Sequence, residues 1–352
     1  MGELQQELID QVSDAAAAGR SLRIQGGDSK RSYGRPVAGT TLDVASHRGI
    51  IDYTPAELVI SARAGTPLAE LEAMLAGAGQ MLPFEPPHLG STATLGGTIA
   101  CGLSGPRRPY AGAARDFVLG VNCINGKGDY LRFGGQVMKN VAGYDLSRTL
   151  AGSFGTLAVL LDIHLKVLPR PEHEITLIRS CSQSEAIQLC NRWAALPLPL
   201  SAACHHDGQL LIRLSGTERG IDASARQLGG TRMDHGAGFW QQLREQQLPV
   251  FTSHANLWRL SVPPYTPELP LRGEWLLDWG GAQRWLASDQ PAEEIRSAVT
   301  RAGGHATWWR GAPTQADVFQ PLPAALLALH RRIKHSFDPS GILNPGRMYA
   351  EL

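Results

Sequence analysis

The chain has 352 residues, a length that predicts two or three domains rather than one. Its 33 lysines and arginines stand against 32 aspartates and glutamates, and the formal net charge of +1 indicates neither nucleic acid nor a polybasic membrane contact. A hydrophobic content of 43% excludes a disordered chain, and the 39 glycines, about 11% of the residues against an average of about 7%, make the placement of glycine the first question.

The cysteines and the N-terminus indicate the compartment. The five cysteines lie far apart without a C-x-x-C pair, which argues against a zinc or iron–sulfur site within this chain. A disulfide framework is not expected at this size, and this indicates a reducing compartment. The N-terminus lacks the basic start and apolar run of a signal peptide, and no apolar stretch approaches the ~20 residues of a membrane span. We therefore expect a cytoplasmic protein, with peripheral docking on the inner membrane through a complex left open.

The first predicted elements mix helices and strands. Apolar residues at helical spacing from Leu4 to Val12 predict a helix that Gly19 ends. Thr66 and Pro67 predict a second helix, with Thr66 as its N-cap and Pro67 at its first position. Short apolar runs between the two helices are typical of strands. These strands are predicted over 21–25, around 42–44 and over 58–61.

Glycine is concentrated between residues 90 and 155, where 14 of 66 residues are glycine. The clearest element there is a hairpin of strands 117–124 and 130–133, joined by the turn sequence Asn-Gly-Lys-Gly. Apolar and polar residues alternate over 161–167, which predicts a strand with one buried face. Pro169 and Pro171 follow, and we place a domain boundary there.

The pattern starts again after this boundary and predicts a second α+β domain. Ser184 is predicted to cap its first helix, and Gly280 and Gly281 are predicted to turn its clearest hairpin. A last helix over 324–333 leads into a tail rich in proline and glycine. The other elements are strands over 175–178, 210–214, 257–262 and 305–310, and helices over 217–228 and 291–302.

Two glycine motifs are candidates for binding a ligand. The turn over 26–30 follows a strand, and its adjacent glycines can present consecutive N–H groups to a phosphate, with Ser29 and Lys30 adding a hydroxyl and a charge. A plain tight turn is the alternative. The stretch 89–102 combines glycines with small hydroxyl residues, which would let a cofactor lie against the backbone, and a plain glycine-rich loop of a sheet protein is the alternative. It does not match G-x-G-x-x-G, so a Rossmann dinucleotide site is not indicated.

A third motif consists of residues 139–146, which include the cation of Lys139 and the phenol of Tyr144. It is followed by the glycine-containing loop 152–157, whose backbone a ligand can approach closely. The order and spacing of these motifs resemble the FAD-binding domain of the vanillyl-alcohol-oxidase/p-cresol-methylhydroxylase (PCMH-type) superfamily. The resemblance covers roughly residues 1–170 and 325–352. The segments that carry it are Gly26-Gly27, Thr94-Leu95-Gly96-Gly97, 115–120, 143–146, 152–157 and 338–346.

The resemblance implies an α+β fold with a PCMH-type FAD-binding domain over 1–170, in two parts of about 1–55 and 56–170. An α+β cap domain is expected over 171–323, and the C-terminal helix and tail, 324–352, are expected to return to the FAD domain. Some relatives bind flavin covalently through a histidine just after the first glycine turn. That turn reads Asp-Ser-Lys here, and the nearest histidines, His47 and His88, lie outside the motif, so FAD is expected to be non-covalent.

The resemblance also implies which residues line the cofactor. The first turn is expected to bind the pyrophosphate, and the second glycine motif is expected to line the flavin. The third is expected to close the adenine or ring side, and the asparagine of the tail is expected to lie beside these loops. The expected FAD-binding residues are Gln25, Gly26, Gly27, Asp28, Ser29, Lys30, Pro87, Gly90, Thr94, Leu95, Gly96, Gly97, Ala100, Cys101, Gly102, Ser104, Gly105, Gly155, Thr156, Leu157, Val159 and Asn344.

The activity that the resemblance implies is oxidation of glycolate and related 2-hydroxy acids, such as D-lactate, to 2-oxo acids. The expected partners are a second FAD-binding subunit and an iron–sulfur subunit. A non-catalytic subunit that uses FAD for electron relay or assembly, and a stand-alone FAD oxidase of another alcohol, are the alternatives. No catalytic base is identified, and adjacent His205 and His206 are expected in a solvated turn rather than at a metal. Candidate contacts to a substrate carboxylate, for each of which a structural role is the favoured alternative, are Arg107, Arg108, Lys139, Tyr144 and Arg347.

Overall fold

A computed structural model describes residues 2–135, 145–313 and 316–352. The helices are α1 (Glu3–Ala17), α2 (Leu68–Gly77), α3 (Leu95–Cys101), α4 (Arg108–Ala111), α5 (Leu146–Leu150), α6 (Gln183–Ala194), α7 (Glu218–Leu228), α8 (Gly236–Arg244), α9 (Pro249–Thr252), α10 (Ala292–Arg301) and α11 (Ala324–Phe337). In the described ranges, no helix is long and apolar enough to cross a membrane.

The strands up to the middle of the chain are β1 (Leu22–Gln25), β2 (Thr40–Asp43), β3 (Ile50–Thr54), β4 (Val59–Arg63), β5 (Gln80–Met81), β6 (Val118–Asn125), β7 (Tyr130–Gly134), β8 (Ala158–Lys166) and β9 (Leu168–Pro169). The later strands are β10 (His173–Ser180), β11 (Leu200–His206), β12 (Gln209–Gly216), β13 (Thr231–Arg232), β14 (Leu257–Ser261), β15 (Glu274–Asp278), β16 (Gln283–Ala287) and β17 (His305–Arg310).

These elements form two compact units, each of which mixes helices and sheets as the α+β prediction requires. The first unit comprises Met1–Leu103, Ala113–Pro169 and Pro321–Leu352, and the second comprises Ser104–Gly112 and Arg170–Gln320. The C-terminal helix and tail therefore belong to the first unit. The short segment 104–112 belongs to the second unit, whereas the sequence places it in the FAD domain. Its contacts explain the difference, because Arg107 pairs with Glu174 of β10 and the Gly105 carbonyl accepts a hydrogen bond from Trp279.

The first unit contains a parallel pair, β1 and β2, and a five-stranded antiparallel sheet in the order β3-β4-β8-β6-β7. Helix α1 buries Leu8 and Val12 against core residues from β1, β2 and β8. The hairpin of β6 and β7 confirms the prediction from the Asn-Gly turn. The tail residue Leu343 pairs in parallel with Leu22, so the end of the chain lies along β1.

The N-caps of two helices differ from the prediction because of contacts that the sequence did not reveal. The Thr66 hydroxyl accepts a hydrogen bond from the Gly49 N–H at 2.9 Å instead of capping α2, whose N-cap is Pro67. The cap of α6 is Ser182 and not Ser184, because the Ser182 side chain accepts from the Glu185 N–H. The N-cap of α7 is Thr217, the residue at which the sequence starts that helix.

Strand β8 is buried on both faces, so the prediction of a strand with one buried face is wrong. It is the middle strand of the five-stranded sheet, and its alternating polar residues are hydrogen-bonded inside the unit. Asp162 accepts from Asn122 Nδ2 at 2.8 Å and contacts His47 Nε2 at 3.0 Å, while His164 Nδ1 lies 2.7 Å from Ser61 Oγ. A buried polar side chain is tolerated when it has such partners.

Replacing His164 by Gln is expected to make the first unit less sensitive to acid. Burial lowers the pKa of the His164 imidazole from its ordinary value of 6.5, so the unfolded chain binds this proton more readily than the folded chain. The contribution of the neutral His164 to the free energy of unfolding is therefore fully present above the pKa of the unfolded chain. It is lost as the pH falls through the pKa of the folded chain. In H164Q, the free energy of unfolding should fall less between about pH 6.5 and 5 than in the wild type.

Urea unfolding at a series of pH values measures this difference. His305 of the second unit also has a pKa lowered by burial, so H305Q is the matched control and should change only the unfolding of the second unit. Identical pH slopes for the first unit in the wild type and H164Q would contradict the prediction.

The second unit is built on an eight-stranded sheet in the order β13-β10-β12-β11-β15-β16-β14-β17. One buried cluster contains Leu177 and Ile212, packed with residues of α6 and α7. Another contains Trp258 and Leu260, packed with residues of α10. The predicted hairpin across Gly280 and Gly281 is confirmed as β15 and β16. Strand β11 and helix α8 were not predicted.

Candidate functional site

The first glycine turn, 26–30, lies directly against the chain that leads into α3. A Cβ atom on Gly27 would lie 1.4 Å from the Thr92 carbonyl oxygen, and one on Gly26 would lie 2.7 Å from Thr94 Oγ1. Both distances are shorter than any tolerated contact, so only glycine fits at these positions. Two motifs that are 65 residues apart at Gly27 and Thr92 therefore meet in the first unit.

The turn presents backbone N–H groups that other protein atoms do not use. Among the described residues, the N–H groups of Gly26, Gly27 and Ser29 have no hydrogen-bond acceptor. Asp28 between them has a φ of +56°, in the left-handed region found in anion-binding turns. An array of this kind suits a phosphate group, as the sequence predicts.

Two side chains of the turn are bonded to a neighbouring loop. Ser29 Oγ donates to the His88 carbonyl at 2.9 Å, and Lys30 Nζ donates to the same carbonyl at 3.1 Å. These bonds hold the loop that contains Pro87 and Gly90 beside the turn, and a Cβ on Gly90 would lie 3.4 Å from Ser29 Cβ. The hydroxyl and the ammonium therefore join two loops of the site.

The second motif consists of a turn that leads into helix α3. Thr94 caps it by accepting from the Gly97 N–H at 3.2 Å. Leu95, Gly96, Thr98 and Ile99 are buried, while the remaining residues of the helix, Gly97, Ala100 and Cys101, are half-buried. The partly accessible stripe of α3 therefore carries only small side chains, which leaves room for a flat ligand.

The loop 152–157 lies along the end of α3. The Gly152 N–H donates to the Ile99 carbonyl at 2.9 Å, and the Phe154 N–H donates to the Ala100 carbonyl at 2.8 Å. A Cβ on Gly102 would lie 3.0 Å from Gly152 Cα. The second and third motifs are thus in direct backbone contact.

Asn344 connects this loop to the strand before the first turn. Its Oδ1 accepts from the Ile24 N–H at 2.8 Å, and its Nδ2 donates to the Phe154 carbonyl at 2.7 Å. A Cβ on Gly155 would lie 2.9 Å from Asn344 Nδ2. The structure thus brings together four segments that the sequence names separately: 25–30, 87–102, 152–157 and Asn344.

The residues of this cradle fit a dinucleotide that carries a flat ring system. Within the described ranges, Gln25 Oε1 and Thr98 Oγ1 are buried without a hydrogen-bond partner, and a ligand with hydroxyl and carbonyl groups would supply one. Burial raises the pKa of the Cys101 thiol, and the positive charges of Lys30 and Arg347 oppose this rise. Two cations therefore act on the small-residue stripe, and their field favours an anionic ligand.

Other predicted residues lie elsewhere. Val159 is 0% exposed and packs in the core of the first unit with Leu42 and Leu161, so its side chain is not available to a ligand. Thr156 Oγ1 donates to the Ser153 carbonyl at 2.7 Å, and neighbouring Leu157 is buried. Ser104 and Gly105 belong to the second unit.

The two histidines nearest to the glycine motifs are both paired with carboxylates. His47 Nε2 lies 3.0 Å from Asp162 Oδ1, and His88 Nε2 lies 2.9 Å from Glu72 Oε2. Both imidazoles are thus held by protein groups.

The three candidate contacts to a substrate carboxylate that the structure describes are engaged within the protein. Arg107 donates to Glu174 at 2.7 Å, and the Arg108 guanidinium lies 4.3 Å from the centre of the Trp279 ring. Arg347 donates to four backbone carbonyls at 2.6 to 3.3 Å. Lys139 and Tyr144 lie outside the described residues.

The prediction of a solvated turn at His205 and His206 is wrong, because both residues lie on β11. His205 is buried with Nε2 3.0 Å from the Cys181 carbonyl, and His206 Nδ1 lies 3.3 Å from the Trp275 carbonyl. Strand β11 consists of small residues and two terminal histidines and lacks the alternating apolar pattern that indicates a strand.

The sequence also did not reveal the polar contacts of the tail. Lys334 and Asp338 form a buried pair, and Arg347 binds the carbonyls of Lys30, Arg31, Tyr33 and Arg35. The only available signal was the tail motif from Asp338 to Gly346, which marks the segment but not its partners.

Comparisons with known proteins agree with this geometry. The family model described as FAD binding domain matches residues 3–134, and the one described as FAD linked oxidases, C-terminal domain, matches residues 320–348. Among solved structures, an alkyldihydroxyacetonephosphate synthase superposes with a TM-score of 0.69 at 15% identity over 97% of this chain and 75% of that one, which shows a common fold.

Curated relatives match over very different lengths. The glycolate oxidase subunit GlcE of Escherichia coli (strain K12) is 53% identical over 348 residues, 99% of this chain and 98% of that protein. The glycolate oxidase subunit GlcD of Bacillus subtilis (strain 168) is 40% identical over 97 residues, 27% of this chain and 21% of that protein. A D-lactate dehydrogenase of Anaerostipes hadrus is 29% identical over 140 residues, 40% of this chain and 29% of that protein. Because the match to GlcE spans nearly all of both chains, this chain belongs to the PCMH-type family of FAD-linked oxidases, and its cofactor is FAD.

Proposed function

We propose that the chain is the FAD-binding subunit of a complex that oxidises glycolate, and related 2-hydroxy acids such as D-lactate, to glyoxylate and other 2-oxo acids. The observation that carries the proposal is the 53% identity to GlcE over 98% of that subunit. The cradle of the first unit supports it, because its segments contain motifs in which the sequence resembles the FAD-binding superfamily. The chain is accordingly an FAD-dependent oxidoreductase of the class that acts on CH–OH groups.

The described residues divide the task of holding FAD. The N–H groups of Gly26, Gly27 and Ser29 are proposed to bind the pyrophosphate, and the small-residue stripe of α3 is proposed to face the flavin ring. Asn344 holds the loop 152–157 against β1, so these groups keep their positions before the cofactor arrives. Bound FAD supplies the acceptor for the two electrons of the hydroxy acid. We also propose that it is bound non-covalently, since His47 and His88 are paired with carboxylates.

The proposed partners are a second FAD-binding subunit and an iron–sulfur subunit. The five cysteines of this chain are free thiols. Burial raises the pKa of Cys123 and of Cys190 to about 12, which disfavours the thiolate that an iron–sulfur cluster requires. The iron–sulfur centres are therefore proposed to lie on another subunit.

A second candidate function is electron relay, with the substrate oxidised at the flavin of a partner. The observation that favours it is the engagement of Arg107 by Glu174 and of Arg347 by four carbonyls, because a 2-hydroxy acid needs a cation for its carboxylate. The two histidines of β11 are likewise bonded to backbone carbonyls.

The test is the visible spectrum of the complex purified through a tagged copy of this chain. Under the proposal, acid releases flavin from the tagged chain, and anaerobic glycolate bleaches the flavin of the complex. Acetate, which lacks the hydroxyl group, is the control and should leave the spectrum unchanged. A chain that contains no flavin and takes none up, or a flavin-loaded complex that neither glycolate nor D-lactate bleaches, would overturn the proposal.

The same experiment on the isolated chain separates the two candidate functions. Bleaching of the isolated chain by glycolate places substrate oxidation at its own flavin. A flavin that stays oxidised in the isolated chain, while the flavin of the complex is bleached, supports electron relay.

A further inference from the structure

The last helix of the chain, α11, buries one lysine in the first unit. Lys334 is the single buried residue of α11 and is 8% exposed. Its Nζ donates to Thr156 O, Leu343 O and Asp338 Oδ2, each at 2.7 Å. An ammonium group has three N–H donors, so all of them are used.

Asp338 completes the arrangement one helical turn later. Its side chain is 1% exposed, and its two oxygens also accept from the backbone N–H groups of Ile342 at 3.1 Å and Leu343 at 2.8 Å. The Gly126 hairpin turn packs against it so closely that a Cβ on Gly126 would lie 2.2 Å from Asp338 Oδ1. Burial lowers the pKa of Lys334, and the neighbouring Asp338 carboxylate opposes this.

The two residues lie at the junction of the segments that build the FAD cradle. Thr156, whose carbonyl Lys334 binds, belongs to the loop 152–157. Leu343, bonded to both residues, pairs with Leu22 of β1, which leads into the first glycine turn. Asn344 then joins the same strand to the same loop. Lys334 and Asp338 therefore determine where the segment 342–347 lies along β1.

We propose that Lys334 and Asp338 form a latch that sets the affinity for FAD by positioning the segment 342–347 across the cradle. They are positioning residues, because every donor of Lys334 is bound to protein and Asp338 is buried. The inference depends on FAD as the cofactor and not on the identity of the substrate, so it stands or fails separately from the proposed function.

The experiment compares two variants with an equal loss of stability. Lys334→Met keeps the length of the side chain but removes the charge and three hydrogen bonds. The control is Leu75→Ala or Leu75→Val, whichever matches the loss in urea unfolding of the apoprotein, since Leu75 is fully buried in α2 of the same unit. FAD affinity is measured by titrating each apoprotein and following quenching of flavin fluorescence.

Lys334→Met is expected to weaken FAD binding by about tenfold or more, while the matched Leu75 variant binds within about threefold of the wild type. Limited proteolysis of the apoprotein should cut residues 340–347 faster in Lys334→Met than in the control. Equal FAD affinities for the two variants would overturn the proposal and leave the pair a purely structural one. If Lys334→Met does not fold, Asp338→Asn, which retains one acceptor oxygen, is tested against the same criterion.

Discussion

The Gly27→Ala variant is expected to bind FAD up to about 100-fold more weakly than the wild type. The added Cβ would lie 1.4 Å from the Thr92 carbonyl oxygen, and a backbone atom cannot move aside as a flexible side chain can. Overpacking of this kind costs about 1–3 kcal/mol, and a 100-fold change corresponds to about 2.7 kcal/mol. The turn must shift, and its N–H groups then no longer converge on one anion.

Titration of the apoprotein with FAD measures this loss. Gly77→Ala is the matched control, because it adds the same methyl group at the end of α2, where no atom lies within 4 Å. It should leave FAD affinity unchanged and stabilise the fold by about 0.4–1 kcal/mol. An affinity of Gly27→Ala within about threefold of the wild type, or an equal loss in the control, would show that the turn does not hold the cofactor.

The Asn344→Ala variant is expected to lose both stability and FAD affinity. Its side chain accepts from the Ile24 N–H and donates to the Phe154 carbonyl, and the substitution removes both hydrogen bonds. The loss of each bond costs about 1–3 kcal/mol, so the free energy of unfolding should fall by roughly 2–6 kcal/mol. Because the loop 152–157 then loses its connection to β1, FAD affinity should fall with it.

Backbone strain adds to the effect of alanine at this position. Asn344 has a φ of +41°, in the left-handed region that asparagine and glycine tolerate better than alanine. Asn344→Gly should therefore be more stable than Asn344→Ala by about 1 kcal/mol while lacking the same hydrogen bonds. Asn256→Ala, which removes an exposed hydrogen bond to Asp289 in the second unit, is the control and should shift FAD affinity very little. Urea unfolding measures the stability of all three variants, and titration measures their FAD affinity. An Asn344→Ala variant with the stability and FAD affinity of the wild type would refute the prediction.

The charges in the second unit bear on where the substrate is oxidised. Arg107 and Arg213 both face Glu174, whose oxygen lies 2.7 Å from one guanidinium and 3.7 Å from the other. Ser215 donates to the same carboxylate at 2.6 Å. A substrate carboxylate would have to replace Glu174 to reach these arginines, which is the physical reason that electron relay stays a serious candidate for this chain.

Local chemistry was sufficient for several elements. The Asn-Gly turn specified the hairpin of β6 and β7, and the polar residue Thr217 marked the start of α7, because a turn type and an N-cap depend on a few neighbouring residues. The glycine motifs could be located in the sequence from their composition alone. The reason that Gly27 must be glycine is a tertiary contact, because a Cβ there would meet the Thr92 carbonyl oxygen.

The predictions that failed depended on partners far away in the sequence. Strand β8 has an alternating pattern, but its polar residues are buried, because Asn122, Ser61 and His47 come to it from other segments. The helix cap at Thr66 was wrong because Gly49 takes that hydroxyl. Periodicity cannot distinguish a polar residue that faces water from one that meets a partner.

The sequence by itself therefore determined the α+β class, the family and the position of the glycine segments of the FAD cradle, because these follow from the pattern of short segments and from the order of the motifs. Only the tertiary structure decided that Lys334 is buried, that Asn344 joins β1 to the loop 152–157, and that residues 104–112 belong to the second unit. Each of these depends on hydrogen bonds between residues that are distant along the chain, and a buried charge or amide is stable only where such partners meet it.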